Sequence, residues 1–371
     1  MNPVRFLNPT FPPAGEIAAD YAAIVERGVF SNGGPVEREL LTAVQNWVGG
    51  DVTACTVSSC TAGIELAVRA TFHPDRQLAI VPSFTFAAGP LVLRSCGYTP
   101  VFVDIDPADW QPQLTDAEKL LAEHDGKVAG ILLTATFGVA NPEIAAWEKL
   151  ARQHSVPLVL DSAAGFGAMH RDGQPMGAHG TCEVFSMHAT KTLAAGEGGL
   201  ITSRDSDLIE RLHAMKNFGF DKDRQCVVLG TNAKLPELTS AIALRQLANL
   251  PERLRLRREV VARYEAALQP LGVRFQPGVE RSAPAFVSTV LPTPDTRDAV
   301  ASALQSGGVE CRDYYNPPVH AQPFFAGSLQ CGELAATANL ASRVLSLPMA
   351  DQLGADVILG IAGLIEQALS G

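Results

Sequence analysis

Residues 185–201 read FSMHATKTLAAGEGGLI. One lysine, Lys191, stands in a run of small and polar residues. The hydroxyl of Ser186 lies five positions before it, and Gly196, Gly198 and Gly199 follow around Glu197. A lysine flanked in this way belongs in a confined turn, not on a solvated charged face, and such an amine can form a Schiff base with a carbonyl cofactor. Most lysines are surface lysines, so the stretch needs support elsewhere: a cradle for an anion, an acidic partner for a ring and an aromatic group to stack on it.

The stretch is framed by two apolar runs, Cys182–Ser186 and Gly199–Thr202, that read as strands. Working outward, further strand candidates are Thr53–Val57, Leu78–Val81, Thr99–Val103, Val128–Leu133 and Val156–Leu160. Several are continuously apolar, as strands covered on both faces are. Helical spacing falls between them at Thr61–Thr71, Ala87–Arg94, Thr115–Glu123 and Pro142–His154, after two earlier helices at Glu16–Arg27 and Val36–Val48. This alternation predicts an α/β fold with a mostly parallel central sheet flanked by helices, whose ligands gather at the carboxyl ends of the strands. Helices are expected over Pro236–Leu250 and Glu252–Leu268. A smaller C-terminal α+β domain follows, with strands at Val273–Phe275 and Ala285–Val290 and helices at Arg297–Gln305, Glu333–Val344 and Asp351–Leu369. The division is a large domain over 1–250, including the Pro-rich N-terminal segment, and a small domain over 251–371.

Bulk properties narrow the function. A chain of 371 residues exceeds what one core usually serves. The net charge of −10 speaks against a nucleic-acid partner. The most basic run, Arg253–Arg263, alternates with Leu, Val and Ala and reads by default as the solvated face of an amphipathic helix. Seven cysteines without a C-x-x-C pair predict neither a disulfide framework nor a metal site and fit a reducing cytoplasm. No signal pattern opens the chain and no apolar run reaches spanning length, so no membrane association is expected.

Each remaining feature has a plain and a chemical reading. Asp161 ends an apolar strand: it is a helix cap or turn residue, or a carboxylate that holds a protonated pyridine nitrogen. Ser59-Cys60-Thr61 lies where a strand gives way to a helix: an ordinary cap, or a helix N-terminus that binds phosphate. Phe86 in PSFTFAA is a core phenylalanine or a ring-stacking group. Asn232 and Lys234 sit in a polar loop before a helix. Tyr314 and His320 belong to RDYYNPPVH, either a rigid packed loop or the lining of a polar cleft.

In order and spacing the chain resembles the DegT/StrS family of sugar-nucleotide aminotransferases, which have the fold-type I pyridoxal phosphate architecture. The resemblance runs through PSFTFAA, TPVFVDID, FSMHATKTLAAGEGG, LGTNAKLPEL and YYNPPVH. It implies pyridoxal 5'-phosphate held as an internal aldimine on Lys191, which then shuttles the proton. Asp161 would pair with the ring nitrogen and Phe86 would stack on the ring. Cys60, Thr61 and Ser186 would hold the phosphate, and Asn232 would reach the phosphate of a neighbouring subunit in a homodimer with shared active sites. His188, Lys234, Tyr314 and His320 are candidate contacts to substrate. The implied reaction moves an amino group from glutamate or glutamine to a nucleotide-linked keto-deoxysugar. A keto-cyclitol transaminase, an aminohydroxybenzoate-type synthase or a non-catalytic regulator are the alternatives. Two positions depart from the family: Cys60, usually Gly, and Ala164, usually Gln or His at the cofactor.

Overall fold

The computed structural model describes residues 3–370. The Pro-rich opening lies across a distant part of the chain: Val4 bridges Val309, Leu7 bridges Met349, and Phe6 is buried. Helices α1 (Ala14–Arg27) and α2 (Pro35–Val48) follow. Pro35 opens α2, where its missing N–H removes no helical bond.

The alternating section comprises β1 (Thr53–Val57), α3 (Cys60–Thr71), β2 (Leu78–Pro82), α4 (Ala88–Ser95), β3 (Thr99–Val103), α5 (Leu114–Glu123) and β4 (Val128–Thr134). It continues with α6 (Ile144–Gln153), β5 (Leu158–Asp161), β6 (Cys182–Ser186), β7 (Gly199–Ser203) and α7 (Ser206–Met215). After α8 (Glu237–Ala248) and α9 (Leu250–Leu268) come β8 (Arg274–Phe275), β9 (Val287–Val290) and α10 (Pro294–Ser306). The chain ends with β10 (Leu329–Gln330), α11 (Ala335–Arg343), β11 (Val344–Leu347) and α12 (Ala355–Ser370). Among the described residues no helix is long and apolar enough to cross a membrane.

Eight strands form one sheet in the order β1-β7-β6-β5-β4-β2-β3-β10. Only β7 runs against its neighbours, so the sheet is mostly parallel, as the continuous apolar runs predict. Side chains of β2, β3 and β4 bury one face against α5 and α6 (Ile80, Val101, Leu120, Trp147), and α3 and α4 cover the other (Ile64, Ala67, Val92). A second sheet, β11-β9-β8, is antiparallel and packs with α9, α10 and α12 through Val260, Tyr264, Val287, Leu345 and Ile361.

Several expectations are corrected. The strand expected at Val156–Leu160 starts at Leu158, because Pro157 has no N–H for the ladder, and it runs through Asp161. The expected helix Glu333–Val344 stops at Arg343, and the apolar run Val344–Leu347 pairs with β9 instead. The last helix starts at Ala355, not Asp351. Helix α7 and strand β10 were not expected from the sequence. The basic run on α9 is not simply a solvated face: Arg253 and Arg257 are buried. They fall with Leu250 and Leu254 on one stripe at i, i+3, i+4 and i+7.

Candidate active site

The parallel register brings four strand ends together. Thr134 of β4 stands opposite Asp161 of β5, and Asp161 opposite Val184 of β6. Ser83 follows β2 and Ser186 ends β6. Ser186 N donates to Ala163 O at 3.2 Å, which ties the lysine stretch to the turn after Asp161.

Lys191 sits in a folded-back turn between β6 and β7. Met187 N donates to Gly198 O and Ala195 N to Met187 O, at 2.9 and 2.8 Å, and Lys191 N donates to His188 O at 2.9 Å. Gly199 then brings β7 against the start of α3. A Cβ there would lie 2.9 Å from Cys60 N and Ser59 C, so only glycine permits the approach. Ser59 caps α3 by accepting from Ala62 N at 3.1 Å. The plain reading of that motif is therefore correct for Ser59, while Cys60 and Thr61 open the helix beyond the cap.

Asp161 is buried. Its Oδ1 accepts from Ala163 N at 3.1 Å, and no described residue donates to Oδ2. Burial pushes its carboxyl up to about 6, against the opposing pull of the Ala163 N–H and of Lys191. Desolvation lowers the Lys191 amine from its ordinary value, with Cys60 and Asp161 opposing. Burial and the Asp161 charge raise the Cys60 thiol well above its usual range, and Lys191 opposes. These three side chains share one electrostatic neighbourhood. A desolvated amine with a lowered pKa in the field of a carboxylate suits proton transfer.

An aromatic wall stands over this edge. Phe86 is 64% exposed, its ring 6.5 Å from that of Tyr315, and Tyr315 stacks on Phe137 at 5.2 Å. Phe84, in contrast, is fully buried. The Asp161 charge also reaches the Tyr315 phenol, which is held above its ordinary range mainly by burial. Tyr314, the candidate from the sequence, turns the other way and packs on Phe6 and Phe286. Nothing in the sequence YY says which of the two faces the sheet edge, and Tyr315 was missed for that reason. His320 does reach the edge: its Nδ1 is 2.5 Å from Ser83 Oγ.

The other candidates lie further out. His188 is partly exposed, its Nδ1 accepting from Thr190 N at 3.3 Å and its Nε2 3.7 Å from Glu197. Asn232 is exposed and bridges Asn217. Lys234 Nζ lies 4.4 Å over the Phe218 ring. Their loop is joined to the turn before α3, because Ser58 N donates to Ala233 O at 2.9 Å. Ala164 is approached by backbone: a Cβ on Gly138 would lie 2.3 Å from the Ala164 carbonyl oxygen. Among the described residues there is no group of His, Cys, Asp and Glu that could hold a metal ion.

The residues present fit a planar, anionic, ring-nitrogen cofactor. The free Oδ2 of Asp161 suits a ring N–H. The start of α3 offers backbone N–H groups to a phosphate. The Lys191 amine is in the same neighbourhood.

Comparison with known proteins agrees with this geometry. The family model of the DegT/DnrJ/EryC1/StrS aminotransferases matches residues 14–365. Protein Rv3402c of Mycobacterium tuberculosis H37Rv is 38% identical, over 98% of this chain and 90% of its own. The solved structure of DesI in the presence of its TDP-sugar product is 31% identical, with a TM-score of 0.90, covering 100% of this chain and 94% of that one. A structure from Bacillus cereus ATCC 10987, assigned to the PLP-dependent aminotransferases, is 29% identical with a TM-score of 0.91, over 98% and 100%. With a family model spanning nearly all of its length and these folds superimposing on it, the chain belongs to the DegT/DnrJ/EryC1/StrS aminotransferase family.

Proposed function

We propose that this protein is a pyridoxal 5'-phosphate-dependent aminotransferase that moves an amino group from glutamate or glutamine to the ketone of a nucleotide-linked deoxysugar. The observation that carries the reading is the placing of the Lys191 turn and the buried Asp161 carboxylate together at the carboxyl edge of the sheet, joined by the bond from Ser186 N to Ala163 O. When bound, the cofactor supplies a carbonyl that condenses with amines and a ring that takes up the electron pair released at carbon.

The protein's own residues do the rest. Lys191 Nζ, whose pKa desolvation lowers from its ordinary value, is the base that moves the proton in amine transfer. Asp161 Oδ2 holds the ring N–H; a cation there favours its ionised form, so it remains a carboxylate at neutral pH. Phe86 offers its exposed face to the ring. The N–H groups opening α3, with Thr61 and Ser186, hold the phosphate, and the Cys60 thiol lies at the same helix start. Asn232 reaches across to the phosphate of a partner subunit in a cytoplasmic homodimer with shared sites. Its exposure and the tie of its loop to the turn before α3 support this. His188, Lys234 and His320 take the donor and the sugar, and water can occupy the place a longer side chain would fill at Ala164. The donor leaves as its oxo acid, and the sugar C=O becomes C–NH2.

The test is a pair of half-reactions on the cofactor-loaded protein. Glutamate should bleach the absorption of the bound cofactor and release 2-oxoglutarate, and a keto sugar nucleotide should restore the band. Restoration by a keto-cyclitol but by no keto sugar nucleotide would overturn the sugar assignment.

A further inference from the structure

The residue after Lys191 is gripped from three directions. Thr192 is buried. Its hydroxyl donates to Ala283 O at 2.9 Å and accepts from Arg257 Nη1 at 3.2 Å, and its carbonyl accepts from Arg253 Nη1 at 3.1 Å. The two arginines lie one turn apart on α9. Both turn their Nε to a single carboxylate, that of Asp351, between β11 and α12: Arg253 to Oδ2 at 3.0 Å and Arg257 to Oδ1 at 2.6 Å. Arg257 Nη1 also donates to Pro284 O at 3.0 Å. All four side chains are less than 9% exposed.

Stability alone is a poor reason for this cluster. It holds two cations against one anion, and buried ion pairs are often no better than apolar residues of the same volume. What the cluster does have is an end point. One chain of hydrogen bonds runs from the segment after the second sheet, through α9, to the backbone of the lysine turn. On the far side of Thr192, Leu193 and Ala195 enter the core formed with Leu250 and Leu254, so α9 holds this segment by both polar and apolar contacts.

We propose that Asp351, Arg253 and Arg257 are positioning residues for Lys191, acting through Thr192. They fix the turn so that the amine presents itself in one direction, and they link that direction to the placement of the second sheet. The proposal rests on Lys191 being the reacting amine.

The first variant is Thr192→Val. It keeps the side-chain volume and removes the hydroxyl, and Arg257 retains its bond to Pro284 O, so folding is spared. Thr192→Ser restores the hydroxyl. Two measurements follow. In the apoprotein, amide exchange at residues 189–195 should accelerate in Thr192→Val and return towards the natural rate in Thr192→Ser. In the loaded protein, the glutamate half-reaction should slow about ten- to a hundredfold in Thr192→Val, as misplacement of a reacting group does, and recover in Thr192→Ser. Asp351→Asn should show the same local exchange if it folds; the threonine pair decides the matter if it does not. Unchanged exchange at 189–195 in Thr192→Val, or equal slowing in the valine and serine variants, would overturn the proposal. A natural protein with no glutamate half-reaction would instead overturn the aminotransferase reading, while the exchange experiment would still report on the clasp.

Discussion

At the scale of residues, the site depends on how burial sets the charge of a few side chains. Glu183 is a second buried carboxyl, one strand away from Asp161. It accepts from Ser162 Oγ at 2.5 Å and from Gly177 N at 2.7 Å, yet burial outweighs both bonds and pushes it up to about 7. Its folded form therefore binds a proton more tightly than the unfolded chain does. Between about pH 4.5 and 7 the unfolded state gives up that proton first, so this group's contribution to stability falls as pH rises. Glu183→Gln carries no such term. The difference in unfolding free energy, variant minus natural protein, should rise across that window in urea denaturation. A flat difference would show Glu183 to be ionised throughout. Much at this scale was legible beforehand. Lys191 and Asp161 could be singled out as candidates because a small-residue turn and a strand end are local features, while their roles came from the family resemblance. Tyr315, Thr192 and the arginines of α9 could not, because their importance comes from contacts about 60 to 230 positions away in sequence, and a basic helical run looks the same whether solvated or buried.

At the scale of elements, the start of α3 and its seat against β7 form the anion cradle. Ser59 caps the helix and Gly199 lets β7 approach it. Ser59→Ala should cost about 1 kcal/mol of stability, the usual value of a lost cap, with only a modest loss of cofactor affinity. Gly199→Ala should do the reverse of that balance. Its Cβ would press on Cys60 N and Ser59 C, displace the helix start and weaken cofactor binding more than it weakens the fold. Titration of the apoproteins with pyridoxal 5'-phosphate, set beside their melting temperatures, separates the two. Elements themselves were readable wherever a periodic run was long. The failures came where a neighbour decides: β10 has only two residues and exists through its pairing with β3, and β11, of which only Val344 fell in an expected helix, exists through its pairing with β9.

At the scale of the whole molecule, α9 joins two cores. It contributes Leu250 and Leu254 to the core beside the lysine turn and Val260, Val261 and Tyr264 to the core of the second sheet. Asp351 joins the two through Arg253 and Arg257. Asp351→Ala leaves both guanidinium groups buried without their counter-charge and should cost about 3–5 kcal/mol, as breaking buried pairs does. Urea denaturation would measure it, and a cost below 1 kcal/mol would mean that the cluster is not under strain when broken. The mostly parallel sheet and the second, smaller sheet were legible from the alternation of patterns, while the path of the ion pairs between them was not.

One particular amine, that of Lys191, is proposed to do the chemistry. Lys216 and Lys234 are the contrasting cases: Lys216 is buried but bound to Glu37 at 2.5 Å, and Lys234 lies over Phe218. Borohydride reduction of the protein loaded with pyridoxal 5'-phosphate, followed by peptide mapping, identifies the lysine that holds the cofactor. A single modified residue, Lys191, is expected, and no reduction product with Lys191→Ala. Modification of another lysine, or multiple turnovers by Lys191→Ala, would contradict it.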